Sequence, residues 1–393
     1  LLGTASGGLV FVVIMTLFFQ AIFTWSAPLM DGVEAFILGL GAWLVPLVPE
    51  GIFADFFEDA VFGGLGAFLV FVPQIFVLTL IIGALEDSGY LARAALICHR
   101  PLSYFGLSGK SFVPLLSGVA CAIPAIYATR TMSSRQERLM TYVAIPLMPC
   151  SARLPVYALL ITVLIPDTTA FGGLVGWQGL VMSGIYFFGI VSALLVASVA
   201  SRLGESESRK QAFILELPAY RTPNILPIIH ASVNRAGHFI QNAGSIIFTV
   251  TVVVWFLGYF PNGGEDLSAS WLATLGIWIQ PIFEPLGLDW RYGVAILASF
   301  LAREVFVGTL GTIFGIENAD DDPAPLAERI AESGLTAASG AALVVFFTIA
   351  LQCVSTVALL ARESKSTGFA MRLLLSYLAL AWIAAFAVHG LVS

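Results

Sequence analysis

Apolar runs of about twenty residues, parted by short polar stretches, recur along the whole of this chain. That length crosses a bilayer as a helix, whereas a barrel strand needs only about ten residues and alternates. Spanning helices are predicted over 7–25, 63–85, 139–165, 177–201, 238–260, 339–361 and 373–391. The apolar stretch 32–48 is short and begins beside Asp31 and Glu34, so it reads as an amphipathic helix lying at the surface. Composition agrees with the pattern. Of 393 residues, 58% are hydrophobic and 11% charged, where soluble domains carry roughly a quarter charged residues. The class is therefore an all-α, polytopic membrane protein whose first partner is the lipid bilayer. The net charge of -7 gathers in particular loops and no basic stripe is present, which excludes a nucleic-acid partner. Cys98, Cys121, Cys150 and Cys353 lack the spacing of a secreted scaffold, so no disulfides are expected. The opening LLGTASGG lacks the basic start and cleavage site of a signal peptide. The chain opens almost directly into a span, which leaves room for a soluble portion upstream.

The pattern is broken in a few places. Between Gly106 and Tyr157, Gly118, Cys121 and Pro124 interrupt one apolar stretch, 111–129. Pro146, Met148, Pro149, Cys150 and Arg153 interrupt the next span. A further apolar stretch, 292–315, holds the charged pair Arg303–Glu304. Proline and glycine free backbone groups that a bilayer cannot satisfy, so such breaks survive only where they face protein or a polar cavity. A break that also carries a thiol points to a buried site for something polar, a soft or borderline metal ion first.

Lys and Arg counts give the orientation. Loop 26–62 has neither, and holds Asp31, Glu34, Glu50, Asp55, Glu58 and Asp59, so it is placed outside. Loops 86–110, 130–138, 202–237 and 362–372 are basic and are placed inside; 261–290 and 316–338, the latter with Asp320, Asp321 and Asp322, are placed outside. Stretch 111–129 then starts and ends inside, as a re-entrant hairpin, and 292–315 is a second hairpin entering from outside. An internal repeat supports this. Gly106-Leu107-x-x-Lys110 recurs as Gly287-Leu288-x-x-Arg291, each followed by an interrupted stretch and a span with an embedded cysteine, Cys150 or Cys353. On that register Cys121 aligns with Ala302. Opposed repeats with broken helices are a common transporter architecture.

Several motifs resemble the membrane domain of FeoB ferrous-iron transporters. They are Leu85-Glu86-Asp87-Ser88-Gly89-Tyr90-x-Ala92-Arg93, Gly109-Lys110-Ser111-Phe112, Cys121-x-x-Pro124-Ala125-Ile126 and Cys150-x-Ala152-Arg153-Leu154-Pro155. In the second half, Glu216-Leu217-Pro218-x-Tyr220-Arg221, Glu304-Val305-x-Val307-Gly308-Thr309 and Cys353-Val354-Ser355 look like the matching parts. The resemblance implies two inverted Gate-type repeats and Fe2+ import across the bacterial inner membrane. It divides the chain into a first span and outer segment (1–62), a first Gate repeat with following spans (63–201), a cytoplasmic arm (202–237), and a second Gate repeat with the last spans (238–393). It also implies GTP coupling through an upstream domain, a homo-oligomer, and a small SH3-like cytoplasmic partner. Ala122 stands where the family usually has a polar residue after the first motif cysteine. The GLSGKS run at 106–111 is no P-loop: the first glycine of G-x-x-x-x-G-K-S would fall at Tyr104. With no Ser-His-Asp, HExxH or CxxC arrangement either, nothing marks the chain as an enzyme.

The candidate ion ligands are Cys121, Cys150 and Cys353, with Met148 and Glu304 beside them. The plain alternative for each cysteine is packing as a small hydrophobe, and for Met148 likewise. Intramembrane Arg303 and Glu304 are costly and point to a site or gate, with a self-neutralising pair or a helix-terminus contact as the competing reading. Arg153 would donate to carbonyls freed by the break. Glu86 and Asp87 would form an ion exit or simply cap a helix, and Pro124 and Ser355 complete the candidate pathway. His99, His230, His238 and His389 show no ligand spacing and read as surface or packing residues. Mn2+, Zn2+, or a nucleoside or other organic solute are alternative cargoes. In a background lacking the native cysteines, single cysteines placed in 26–62 and 316–338 should react with an impermeant thiol reagent from outside. Cysteines in 202–237 should not, and their labelling from outside would overturn the topology.

Overall fold

A computed structural model describes residues 4–49, 51–132, 134–166, 168–170, 175–203, 220–263, 269–300, 303–316 and 323–393. Glu50, Arg209, Lys210, the 216–218 motif, Ala302 and the Asp320–Asp322 run lie outside the described residues. The described residues are helical almost throughout. Among the described residues the only strand pairing joins Thr169–Ala170 to Val175–Gly176, antiparallel. Among the described residues, six helices are long and apolar enough to cross a membrane: Ala27–Leu47, Ile52–Asp87, Arg135–Leu164, Trp177–Arg202, Ala337–Ser364 and Thr367–Val392. Five coincide with expected spans. The expected spans at 7–25 and 238–260 are helical too, each carrying a π-turn, at Ala21–Trp25 and Ile240–Gly244.

Stretch 32–48 departs from the sequence reading. Its helix begins earlier, at Ala27 with Pro28 in the first turn, and runs on to Leu47, 21 residues in all. Asp31 therefore sits inside a helix instead of marking its start, and shortness no longer argues for a surface position.

The chain forms two units, Leu1–Tyr142 with Ala197–Val252, and Val143–Val196 with Val253–Ser393. In the first, helix Ile225–Phe239 packs along Phe71–Asp87, and Gly83 lets Ile228 lie so close that a Cβ there would meet its Cγ2 at 2.9 Å. Small residues permit such approach where lipid removes the usual hydrophobic drive between helices. Met15, Phe18, Ile22, Leu78, Ile82 and Leu116 form its core. In the second unit, Thr367–Val392 packs on Ala337–Ile349, and Phe306 meets Phe347 edge to face at 4.6 Å. Phe36, Trp43, Phe187, Trp278 and Ile383 are exposed. Such side chains suit a lipid-facing surface.

The two Gly-Leu motifs form turns of the same local geometry. Gly106 and Gly287 both take the left-handed region (φ +76° and +69°) after a helix, and each is followed by a buried leucine, Leu107 or Leu288. The Leu107 and Leu288 N–H groups donate back to Leu102 O and Phe283 O at 3.1 and 3.4 Å, closing the same Schellman turn. A Cβ at either glycine would strike a helix serine, Ser201 or Ser339. Ser111, in the GLSGKS run, is wholly buried with its hydroxyl 2.9 Å from that of Thr141. That hydroxyl is spent on a hydrogen bond between two helical segments.

Candidate functional site

The interruptions legible in the sequence are breaks in the helices. Stretch 111–129 is two short helices, Phe112–Ala120 and Ala122–Ala128, packed on one another and parted by Cys121 in extended conformation (φ -155°, ψ 138°). Pro124 falls in the first turn of the second helix, where its missing N–H costs little. The span Arg135–Leu164 loses its regular ladder from Ile145 to Arg153, around Pro146 and Pro149, with Cys150 extended (φ -83°, ψ 162°). The span Ala337–Ser364 breaks at 350–353, and Cys353 is extended as well (φ -165°, ψ 103°). All three candidate cysteines thus sit at a break, just before a helical segment resumes, and each is half-buried. Cys98 stands apart. It lies within helix Tyr90–Tyr104, not in a loop, and burial pushes its thiol up to about 11.

In the first unit, Glu86 and Asp87 line a cavity of about 690 Å³ together with Thr79, Gly83, Arg221 and Asn224. A smaller cavity of about 30 Å³, lined by Pro124 and Tyr127, shares Thr79 and Arg235 with it. Both carboxylate oxygens of Asp87 are engaged. One pairs with Arg221, and the other accepts from Asn224 N–H at 2.8 Å; Arg221 Nε also donates to Asp87 O at 3.0 Å. Arg93 lies 3.7 Å from the centre of the Tyr220 ring. Two motifs far apart in sequence, 85–93 and 220–221, therefore fasten the connecting arm to the end of Phe71–Asp87. Asp87 thereby holds Arg221 and Asn224 in place, while Glu86 is exposed at the cavity.

The second unit holds Met148, Cys150, Arg153, Arg303, Glu304, Cys353 and Ser355. Arg153 is wholly buried. Its Nη1 donates to Leu147 O and Met148 O at 3.1 Å each, and its Nη2 to Pro146 O at 3.0 Å, so it serves carbonyls left without ladder partners where the helix breaks. Arg303, 4% exposed, does the same for the other break: Nε to Gln352 O at 3.1 Å and Nη2 to Ala350 O at 3.2 Å. Its Nη1 lies 3.8 Å from Cys150 Sγ. Val354 N–H completes the bridge by donating to Phe300 O at 2.9 Å. One guanidinium thus ties the Cys150 break to the Cys353 break. Glu304 opens helix Val305–Phe314, a position where a carboxylate favours the helix dipole. Met148 is buried, and His99 Nδ1 accepts from Gly109 N–H at 3.1 Å. Within either unit, no group of three His, Cys, Asp or Glu among the described residues gathers as a ready metal cage.

Sequence reasoning missed Gln352, which is wholly buried beside Cys353. Its only signal is an amide inside an apolar run. It also missed Tyr220 and Arg221 as the partners of Arg93 and Asp87, although both pairs lay in motifs already singled out. Replacing Arg153 by Met should destabilise the protein by about 3 kcal/mol or more, since three buried carbonyls lose their donor at about 1 kcal/mol or more each. Thermal unfolding in lipid nanodiscs measures this, and a variant as stable as the parent would refute the role.

Comparison with known proteins places this architecture. The Gate family model, "Nucleoside recognition", matches residues 68–163 and 240–367, and the model for the ferrous iron transport protein B C terminus matches 182–235. A protein named Fe(2+) transporter FeoB from Leptospira interrogans is 37% identical over 376 residues, 91% of this chain and 53% of its own length. Its namesake from Staphylococcus aureus strain COL is 36% identical over 366 residues, with the same coverage of 91% and 53%. A Porphyromonas gingivalis protein named Fe(2+) transport protein A/Fe(2+) transporter FeoB fusion protein is 35% identical over 425 residues, 96% of this chain and 49% of its own length. The chain spans about half the length of these curated relatives. No solved structure matches it. The two family matches and these identities together show that the chain belongs to the FeoB family, as its Gate-containing membrane portion.

Proposed function

We propose that this chain carries Fe2+ across the membrane, past thiols displayed at helix breaks. The observation that carries the reading is Arg303, whose guanidinium reaches Cys150 Sγ and, at the same time, the carbonyls of Ala350 and Gln352. A divalent ion at Cys150 and a guanidinium about 4 Å away would repel by roughly 8 kcal/mol at an effective dielectric of about 20. Hydrogen bonds of a charged group contribute about 1.5–3 kcal/mol each. The two sums are comparable, so ion and guanidinium exchange at Cys150 and do not share it. Because the same guanidinium holds the Cys353 break, its departure loosens that break as the ion arrives. Arg303 is thereby the gate, Cys150 and Cys353 are ligands on the path, Cys121 is a further ligand, and Met148 and Glu304 are secondary donors. A few soft ligands hold the ion weakly enough to release it. Glu86 receives it at the 690 Å³ cavity. The two Gate segments act as inverted repeats with re-entrant hairpins in a bacterial inner membrane. GTP acts through an upstream domain, and a homo-oligomer and a small SH3-like cytoplasmic partner belong to the same reading.

The family description, "Nucleoside recognition", favours an organic solute as the second reading. Cys150→Ser and Cys121→Ser test the first. Serine is nearly the same size but a harder, far less acidic ligand. Fe2+ uptake by vesicles carrying the complete protein should fall at least about tenfold in each, while Cys98→Ser transports normally. Normal uptake by the Cys121 and Cys150 variants would make these thiols packing residues, and nucleoside uptake without Fe2+ uptake would establish the second reading.

A further inference from the structure

Gln352 is wholly buried, and neither its carboxamide oxygen nor its nitrogen has a hydrogen-bond partner among the described residues. The Ser355 hydroxyl is likewise buried and without a partner. Protein interiors satisfy nearly all such groups, and an amide that offers two donors and two lone pairs is costly to leave empty. A buried polar group of this kind marks a place for water or an ion. Both residues flank Cys353, where helix Val354–Ser364 resumes. The Gln352 main chain is already claimed, since its carbonyl accepts from Arg303 Nε at 3.1 Å. Its backbone is therefore fixed, with the side chain left unclaimed.

We propose that the Gln352 carboxamide oxygen and the Ser355 hydroxyl are neutral oxygen donors of a divalent-cation site at Cys353, and that Gln352 sets which cation the site accepts. This rests on the cation-transport reading above. A site of thiolates alone favours soft ions and Zn2+, and Fe2+ lies low in the order of affinities for a common ligand set. Oxygen donors move the preference toward Fe2+ and Mn2+. They add no net charge, so the ion is not trapped as it would be by a buried carboxylate. The N-terminal end of Val354–Ser364 and the Arg303 guanidinium both oppose a cation here. The oxygen dipoles and the Cys353 sulfur must offset that opposition, which leaves binding weak and reversible.

The test uses the complete protein, reconstituted in vesicles under anaerobic conditions, with Fe2+, Mn2+ and Cd2+ offered separately. Binding is read independently of transport, as the metal-dependent shift in melting temperature of the purified protein. Gln352→Met keeps the length of the side chain but replaces the amide oxygen with a soft thioether. It should weaken Fe2+ and Mn2+ at least tenfold and retain Cd2+, and Ser355→Ala should move the same ratio in the same direction. Gln352→Glu should tighten Mn2+ at least tenfold and slow its release. If Gln352→Met does not fold, the other two variants carry the test. An unchanged Fe2+:Mn2+:Cd2+ order, within twofold in the folded variants, would leave water as the occupant and overturn the proposal. A parent protein that neither binds nor carries any of the three ions would instead refute the transport reading itself.

Discussion

A backbone group in a bilayer has no water to turn to, and the rest of this structure follows from how the freed carbonyls are satisfied. A regular helix meets the constraint by itself. A broken helix needs donors brought from elsewhere, and in the second unit those donors are two buried arginines. Arg153 serves its own break, through carbonyls five to seven residues earlier in the chain. Arg303 serves a break 47 to 49 residues away. The first arrangement is local and fixed. The second joins two breaks through one charge, so anything that displaces the charge changes both.

The chemistry is therefore inseparable from the architecture. Each candidate cysteine is extended at the point where a helix resumes, which presents a thiol where backbone polarity is already concentrated. A cation entering such a place meets soft sulfur, neutral carbonyls and an opposing guanidinium. In the first unit, by contrast, charge is used to fasten. Asp87 and Arg221 hold the connecting arm, and Arg93 stacks on Tyr220.

How much of this was legible in the sequence depends on whether its cause was local. The breaks at Cys121 and Cys150 were legible because Pro124, Pro146 and Pro149 announce them in composition. The break at Cys353 has neither proline nor glycine beside it. Its backbone departs from the helix where Arg303 and the Phe300 carbonyl offer hydrogen bonds in place of the ladder, a tertiary cause that only the repeat with Cys150 hinted at. The left-handed glycines were legible for the same local reason: Gly106 and Gly287 each end a helix before a buried leucine. In stretch 32–48 the start was set at Asp31, whereas the helix begins upstream at Ala27, because one carboxylate inside a helix looks like a boundary when read locally. Gln352 was passed over because one amide in an apolar run carries no periodic or spacing signal.

The central claim is that thiols at the breaks touch the ion. Iron K-edge X-ray absorption on the complete, reduced protein loaded with Fe2+ examines that contact directly. The account predicts a sulfur shell at about 2.3 Å, the usual metal–thiolate distance, alongside oxygen or nitrogen neighbours. It also predicts that Cys150→Ser diminishes that shell. An iron environment of oxygen and nitrogen alone, identical in the parent and the variant, would contradict it.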